Sequence, residues 1–348
     1  LCGDLVIYIL FGFIFCVFSF LEIVSKNRVF FKIIFFTFLL LMLLLVGLRD
    51  GRVVGMDSPA YYEFYLEQLP SVEVGYKYLN YFFSSLGLNY NIFLLFINFI
   101  ILFNISKFIR LNSYYLILPL FVYFSDFFFY YSFSGIRQSI AISLTSLSVF
   151  YILNGSRKIA LILILLASLF HVTALIFIIA LFVPNDKTKI YKYFIFFIVL
   201  AFCAVLGSYA VEAVPYLNSK FMYYSSTQEQ SDNILTSYII GMLKRSIVLI
   251  SVFLVFRNFF SNNHNFYLYN LYMVGFVIYV TSYLISPDFG VRLGSYFIIL
   301  DCILVSKIIY SSNYFWNKLA IFLIFTLVAL YKVYTYTLIP EYTYKFFI

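Results

Sequence analysis

The sequence predicts an all-α, polytopic integral membrane protein of about ten transmembrane helices plus a re-entrant helical pair. Three observations carry this prediction. The chain is 64% hydrophobic and only 11% charged, with a mean hydropathy of +0.98, whereas a soluble domain uses roughly 25% charged residues to cover its surface. Apolar blocks of about 20 residues recur along its length, each long enough to cross ~30 Å of hydrocarbon. The period-two alternation of a barrel strand is absent, which leaves the helix as the spanning unit that satisfies its own backbone. Residues 1–348 read as a single transmembrane domain, with outer-face segments at about 49–90 and 207–237.

The elements follow in order. The first block, "LVIYILFGFIFCVFSFLEIV", has no basic residue before it and no small-residue cleavage site, so it reads as a retained span. Lys26, Arg28 and Lys32 mark the next loop as cytoplasmic and put the N-terminus outside. The segment from Arg49 to about Asn89 is net acidic, with Asp50, Asp57, Glu63, Glu67 and Glu73, and fits outside. Within it, Asp57 and Ser58 before Pro59 are a helix start signal. That helix carries Tyr61, Tyr62 and Tyr65 along one side, for packing on lipid, protein or sugar. Lys107 with Arg110, and Arg157 with Lys158, mark two further inner loops, so the turn at 132–137 between them faces outward. Beyond lie outer loops at 207–237 and 286–295, inner loops at 257–265 and 311–318, and an outer tail.

One apolar run breaks the alternation. "IALILILLASLFHVTALIFIIALFV" (159–183) has Arg157 and Lys158 before it and Lys187, Lys189 and Lys192 after it, so both flanks look cytoplasmic. Two half-length helices meeting at His171, as a re-entrant hairpin, satisfy both flanks. A single ordinary helix with a locally reversed charge bias is the alternative.

The arginines are distributed against the positive-inside bias. Of nine, Arg28, Arg110, Arg157 and Arg257 fall in predicted inner loops, while Arg49, Arg52, Arg137, Arg245 and Arg292 fall at outer loops or outer ends of spans. A guanidinium is a permanently charged fork that matches phosphate oxygens bidentately, and ionisable groups at a membrane face are functional candidates. Two readings stand: pairing with Asp50, Asp57, Asp126 and Asp288, or a shared anionic ligand, which explains all five together. Arg137, in "SFSGIRQSIA", has the strongest local setting. With Ser134 as the helix cap, Gly135 lets a ligand near the backbone. Arg137 and Gln138 then occupy a first turn whose N–H groups and dipole favour an anion. The four cysteines, Cys2, Cys16, Cys203 and Cys302, lie far apart and suggest neither a disulfide framework nor a metal site. No cofactor, metal or nucleic-acid partner is expected.

The segments "GLRDGRVVGMDSPAYY", "SFSGIRQSIAISL" and "RKIALILILLASLFHVTALI", in this order, resemble the EpsG/Wzy-like polymerases of bacterial surface polysaccharides. The tail "LIPEYTYKFF" is similar to a terminal proline–aromatic element of that group, with Glu341 where an aromatic is more familiar. The resemblance implies a metal-independent, glycosyltransferase-type polymerase for O-antigen, capsule or exopolysaccharide. It would join undecaprenyl-pyrophosphate-linked oligosaccharide units at the periplasmic or outer face of the bacterial inner membrane, with membrane lipid and a chain-length regulator as candidate partners. In such a reaction the leaving pyrophosphate needs charge stabilisation, for which Arg49, Arg137, Arg245 and Arg292 are the candidates, with Gln138 beside Arg137. Asp57 and Tyr61 would position an arginine or a sugar. His171 would take the acceptor proton, or else pin a helix break. A flippase for lipid-linked oligosaccharides should show internal repeats and short loops on both faces, and neither is present. An O-antigen ligase uses the same donor with another acceptor and stays open.

Overall fold

The apolar blocks fold as helices in the computed structural model, which describes residues 2–25, 27–67, 72–189, 191–192, 194–196, 198–199 and 234–347. No strand occurs among the described residues; one isolated bridge joins Arg49 to Phe346. The chain divides into two compact units, Leu1–Leu181 with Asp301–Ile348, and Phe182–Leu300.

The first unit begins with α1 (Cys2–Val24) and α2 (Arg28–Gly47), the latter capped by the Asn27 side chain, which accepts from Phe30 N at 3.1 Å. On α1, Leu10, Phe13, Val17 and Leu21 form an exposed stripe at helical spacing, as expected of a helix whose outer face meets lipid. The opposite face packs aromatics: Phe15 stacks on Phe38 of α2 at 4.0 Å and on Phe121 at 5.7 Å. Each such pair contributes about 0.5–1.5 kcal/mol beyond its buried area. Two short helices, α3 (Ser58–Glu67) and α4 (Val74–Ser85), lead to α5 (Tyr90–Asn112). Helix α3 starts at Ser58 with Pro59 second, as its start signal predicts.

Next, α6 (Ile117–Tyr123) runs without interruption into a π-helix, Phe124–Ser134. Together they form the most enclosed span of the unit, 89% of it buried. The carboxylate of Glu22 in α1 accepts from Leu116 N (2.6 Å) and Ile117 N (2.8 Å), and so caps α6. An acid in a lipid-facing block is costly; here two backbone N–H donors and the helix dipole offset the cost. After Gly135, α7 (Ile136–Leu153) buries a run of small hydroxyls. Ser143, Thr145, Ser146 and Ser148 bond back to carbonyls one turn earlier, which lets α7 pack closely without orphaned polar groups.

The second unit contains α9 (Ile234–Leu254), α10 (Asn263–Ile285) and α11 (Pro287–Ile298). Helices α10 and α11 cross closely where Gly290 and Gly294 face Tyr283 and Tyr279. The first unit then closes with α12 (Asp301–Ser311), α13 (Phe315–Thr337) and the tail.

Seven described helices are long and apolar enough to span a membrane, or eight if α11 with α12 counts as one, against about ten expected from apolar blocks of about 20 residues. Two features account for the difference. The block at about 192–206 lies mostly outside the described residues, as does the predicted outer segment 207–237 up to residue 233. Helix α10 has 23 residues, but the side chains of Leu284 and Ile285 at its apolar end lie outside those described and do not count toward its apolarity. The run 159–183 is not one ordinary helix. It breaks at 169–171, between α8 (Arg157–Ser168) and a 3-10 helix, Val172–Phe182. At about 1.5 Å per residue α8 is only ~18 Å long, short of a crossing.

Candidate functional site

The loop after α2 is organised by Arg49, which is fully buried. Its NH1 donates to Val54 O (2.6 Å) and Phe133 O (3.0 Å), its NH2 to Ser132 O (3.3 Å), and its guanidinium lies 4.2 Å over the Phe133 ring. Two of these acceptors are carbonyls at the π-helix end, where helical partners run out and the dipole favours a cation. Loss of water pulls the Arg49 pKa down to about 10, which leaves it charged near neutral pH. Gly55 has φ +115° and lies against the Phe133 carbonyl, so only glycine fits the turn. A Gly55→Ala variant is expected to lose about 1–3 kcal/mol or more of stability, read as a lower unfolding temperature in detergent.

Arg137 sits in the first turn of α7 with its side chain 22% exposed. Its NH1 pairs with Glu73 Oε2, its Nε donates to Tyr61 OH at 3.3 Å, and its guanidinium lies 5.6 Å over the Tyr61 ring. Tyr61 is buried and meets Tyr76 edge-on at 5.6 Å. Gln138 is buried on the same turn, and Asp57 is exposed just before α3, its carbonyl accepting from Tyr61 N at 3.0 Å. The cap of α7 differs from expectation: Gly135, not Ser134, holds that position. The Ser134 hydroxyl instead accepts from Met56 N (2.9 Å) and shares a hydrogen bond with Tyr342 OH (3.0 Å).

His171 is buried at the break after α8, with Nδ1 2.5 Å from Thr173 Oγ1. A helix break releases carbonyls that must find other donors. One of them, Leu169 O, accepts from Gly75 N at 2.8 Å. Gly75 lies two residues after Glu73, so one short backbone stretch joins the Arg137 pair to the His171 break. A Cβ on Gly75 would stand 2.9 Å from Leu169 O, and the docking depends on its absence. Gly75→Ala is therefore expected to cost about 0.5–1.5 kcal/mol through the lost bond, read as a lower unfolding temperature in detergent. An unchanged unfolding temperature would show that this contact does not matter.

The tail completes the arrangement. Asp50 N donates to Lys345 O (2.7 Å), Phe347 N to Leu48 O (2.8 Å) and Gly55 N to Glu341 O (2.7 Å). Tyr8 OH donates to Tyr342 O at 3.1 Å, and Tyr344 OH to Leu45 O at 3.1 Å. Burial pushes both the Tyr342 and Tyr344 phenols up to about 12.

Each of the five displaced arginines has a protein partner. Arg52 is held by Asp50 at 2.8 Å, which lowers the Asp50 pKa, and Arg137 by Glu73. In the second unit, Arg292 approaches Asp288 at 3.8 Å, while Arg245 donates to Gly241 O at 2.6 Å and lies 3.6 Å over Tyr279. Sequence reasoning missed Glu73 as a partner and Gly75 as a contact point, because both act across long sequence separations with no periodic signal.

The model of the EpsG family matches residues 32–347, which include the Arg49 loop, the Arg137 turn, the His171 break and nearly all of the tail. The chain belongs to the EpsG family. No curated protein and no solved structure matches it. EpsG membership points to a glycosyltransferase-like polysaccharide polymerase of exopolysaccharide or O-antigen synthesis, acting on lipid-linked saccharide in the membrane. With its apolar helices, this EpsG protein is a multi-pass membrane protein.

Proposed function

We propose that this EpsG protein joins oligosaccharide repeat units carried on undecaprenyl pyrophosphate, at the periplasmic or outer face of the bacterial inner membrane. The observation that supports this most is Arg137: a partly exposed guanidinium in a helix first turn, held in aim by Glu73 and Tyr61. A helix N-terminus and a guanidinium together favour an anion. In the proposed step a hydroxyl of the incoming unit bonds to the anomeric carbon of the growing chain. The bond from that carbon to the pyrophosphate oxygen breaks, and its electron pair leaves with the pyrophosphate. Arg137, with Gln138 beside it, meets the charge that develops on that leaving group. His171 accepts the hydroxyl proton on Nε2, with Nδ1 held as the N–H donor to Thr173 Oγ1. In this reading Arg49, being fully buried on backbone carbonyls, positions the site and leaves direct contact with the anion to Arg137.

The test is polymerisation by purified protein in vesicles supplied with lipid-linked repeat units. Polymer ladders on the lipid are expected, with no product in His171→Ala or Arg137→Ala at equal protein levels. Movement of intact single units across the bilayer without joining would identify a flippase and overturn the reading. Transfer of units only to an added lipid A core acceptor would identify a ligase.

A further inference from the structure

We propose that a pocket beside α3 is a saccharide subsite, taking one or two sugar rings of the chain whose pyrophosphate meets Arg137; the identity of this ligand rests on the polymerase reading. The pocket has a volume of about 230 Å³ and is lined by Arg52, Tyr62, Leu66, Asn89, Tyr90 and Phe347, among others. That is below the roughly 300–1,000 Å³ of sites for drug-sized ligands, so it suits a short saccharide segment and not a whole repeat unit.

Its chemistry is that of a sugar site. A pyranose has a face of C–H bonds, weakly positive and apolar, and a rim of hydroxyls that both donate and accept. Aromatic faces carry negative charge density and suit the first. Tyr62 and Tyr90 stand 5.4 Å apart at 58°, and the exposed Phe347 closes the other side beneath the Arg52 guanidinium, 5.5 Å above its ring. Hydroxyls need fixed polar groups. Arg52 is gripped by Asp50 through Nε and NH2, both at 2.8 Å, and yet remains 44% exposed, so donors and a carboxylate stand together at the edge. Asn89 uses its side-chain oxygen to hold Asn91 N at 2.9 Å, and its amide nitrogen supplies further donors.

Helix α3 ties this pocket to the candidate site. Tyr61 carries the Arg137 contact, and Tyr62 with Leu66, the next positions round the helix, carry the pocket. One rigid helix therefore sets the register between the two.

The probe is lipid-free oligosaccharide released by mild acid from the producing strain's own surface polysaccharide, added to the full chain in nanodiscs and followed by saturation-transfer NMR. Wild type, Arg137→Ala and Tyr62→Phe are expected to bind alike. Tyr62→Ala and Asn89→Ser, the latter retaining a cap for α5, should bind at least about tenfold more weakly. No binding by wild type, or wild-type binding by both Tyr62→Ala and Asn89→Ser, overturns the subsite. Polymerisation in vesicles separates the two ideas. If long chains form while both pocket variants bind normally, the subsite alone falls. If no chains form while sugar binding requires Tyr62 and Asn89, the polymerase reading alone falls.

Discussion

Arg137→Ala is expected to slow repeat-unit joining by roughly 10²–10³-fold, the usual cost of removing one preorganised charge-stabilising group. In cells this would appear as single repeat units replacing long chains in a deletion strain complemented with the variant. The comparison is made at equal protein levels, because Glu73 loses its partner in a setting that is only about one-fifth exposed. Arg137→Lys keeps a charge but loses the planar fork, so it should recover only part of the rate. Normal long chains in Arg137→Ala, at normal protein levels, would remove this residue from the mechanism.

Arg49→Ala should fail for a different reason. Its guanidinium is fully buried and satisfies three carbonyls from two chain segments, that of Val54 and that of Ser132 and Phe133. Removal takes the guanidinium donor from Ser132 O, leaves Val54 O and Phe133 O to share the single Ser58 hydroxyl, and opens a cavity over Phe133. The expected loss is on the order of 3–5 kcal/mol, or roughly 6–20 °C in unfolding temperature at a fixed scan rate. Arg49→Lys should not restore it, since one ammonium cannot reach three divergent carbonyls and stack on the ring. The two arginines thus separate experimentally: Arg137→Ala lowers turnover per folded molecule, while Arg49→Ala lowers the amount of folded protein. An Arg49→Ala protein as stable as wild type would refute its positioning role.

The helices were legible in the sequence because length and apolarity are local properties, and lipid leaves the backbone few alternatives. The start of α3 at Ser58 and the break beside His171 were legible for the same reason: Pro59 and the doubled basic flanks are local marks. The displaced arginines stood out by position, but their partners did not. Glu73 was one acid among several in an outer segment, and only folding brings it across 64 positions to Arg137. Nor does charge pattern distinguish an arginine aimed at carbonyls, such as Arg49, from one paired with a carboxylate and partly exposed, such as Arg137. That difference lies in the three-dimensional arrangement.

The closing of the tail over the Arg49 loop has a consequence for biogenesis. Tyr344 reaches back 299 positions to Leu45, and Tyr342 bonds Tyr8 across 334. At about 5–20 residues per second, these partners emerge roughly 15–70 s apart during synthesis. The nascent protein must therefore hold α1 and the Arg49 loop in an unsealed state while most of its spans are inserted. Assembly of this corner is a late, post-insertion event, and removal of residues 341–347 would act on it first.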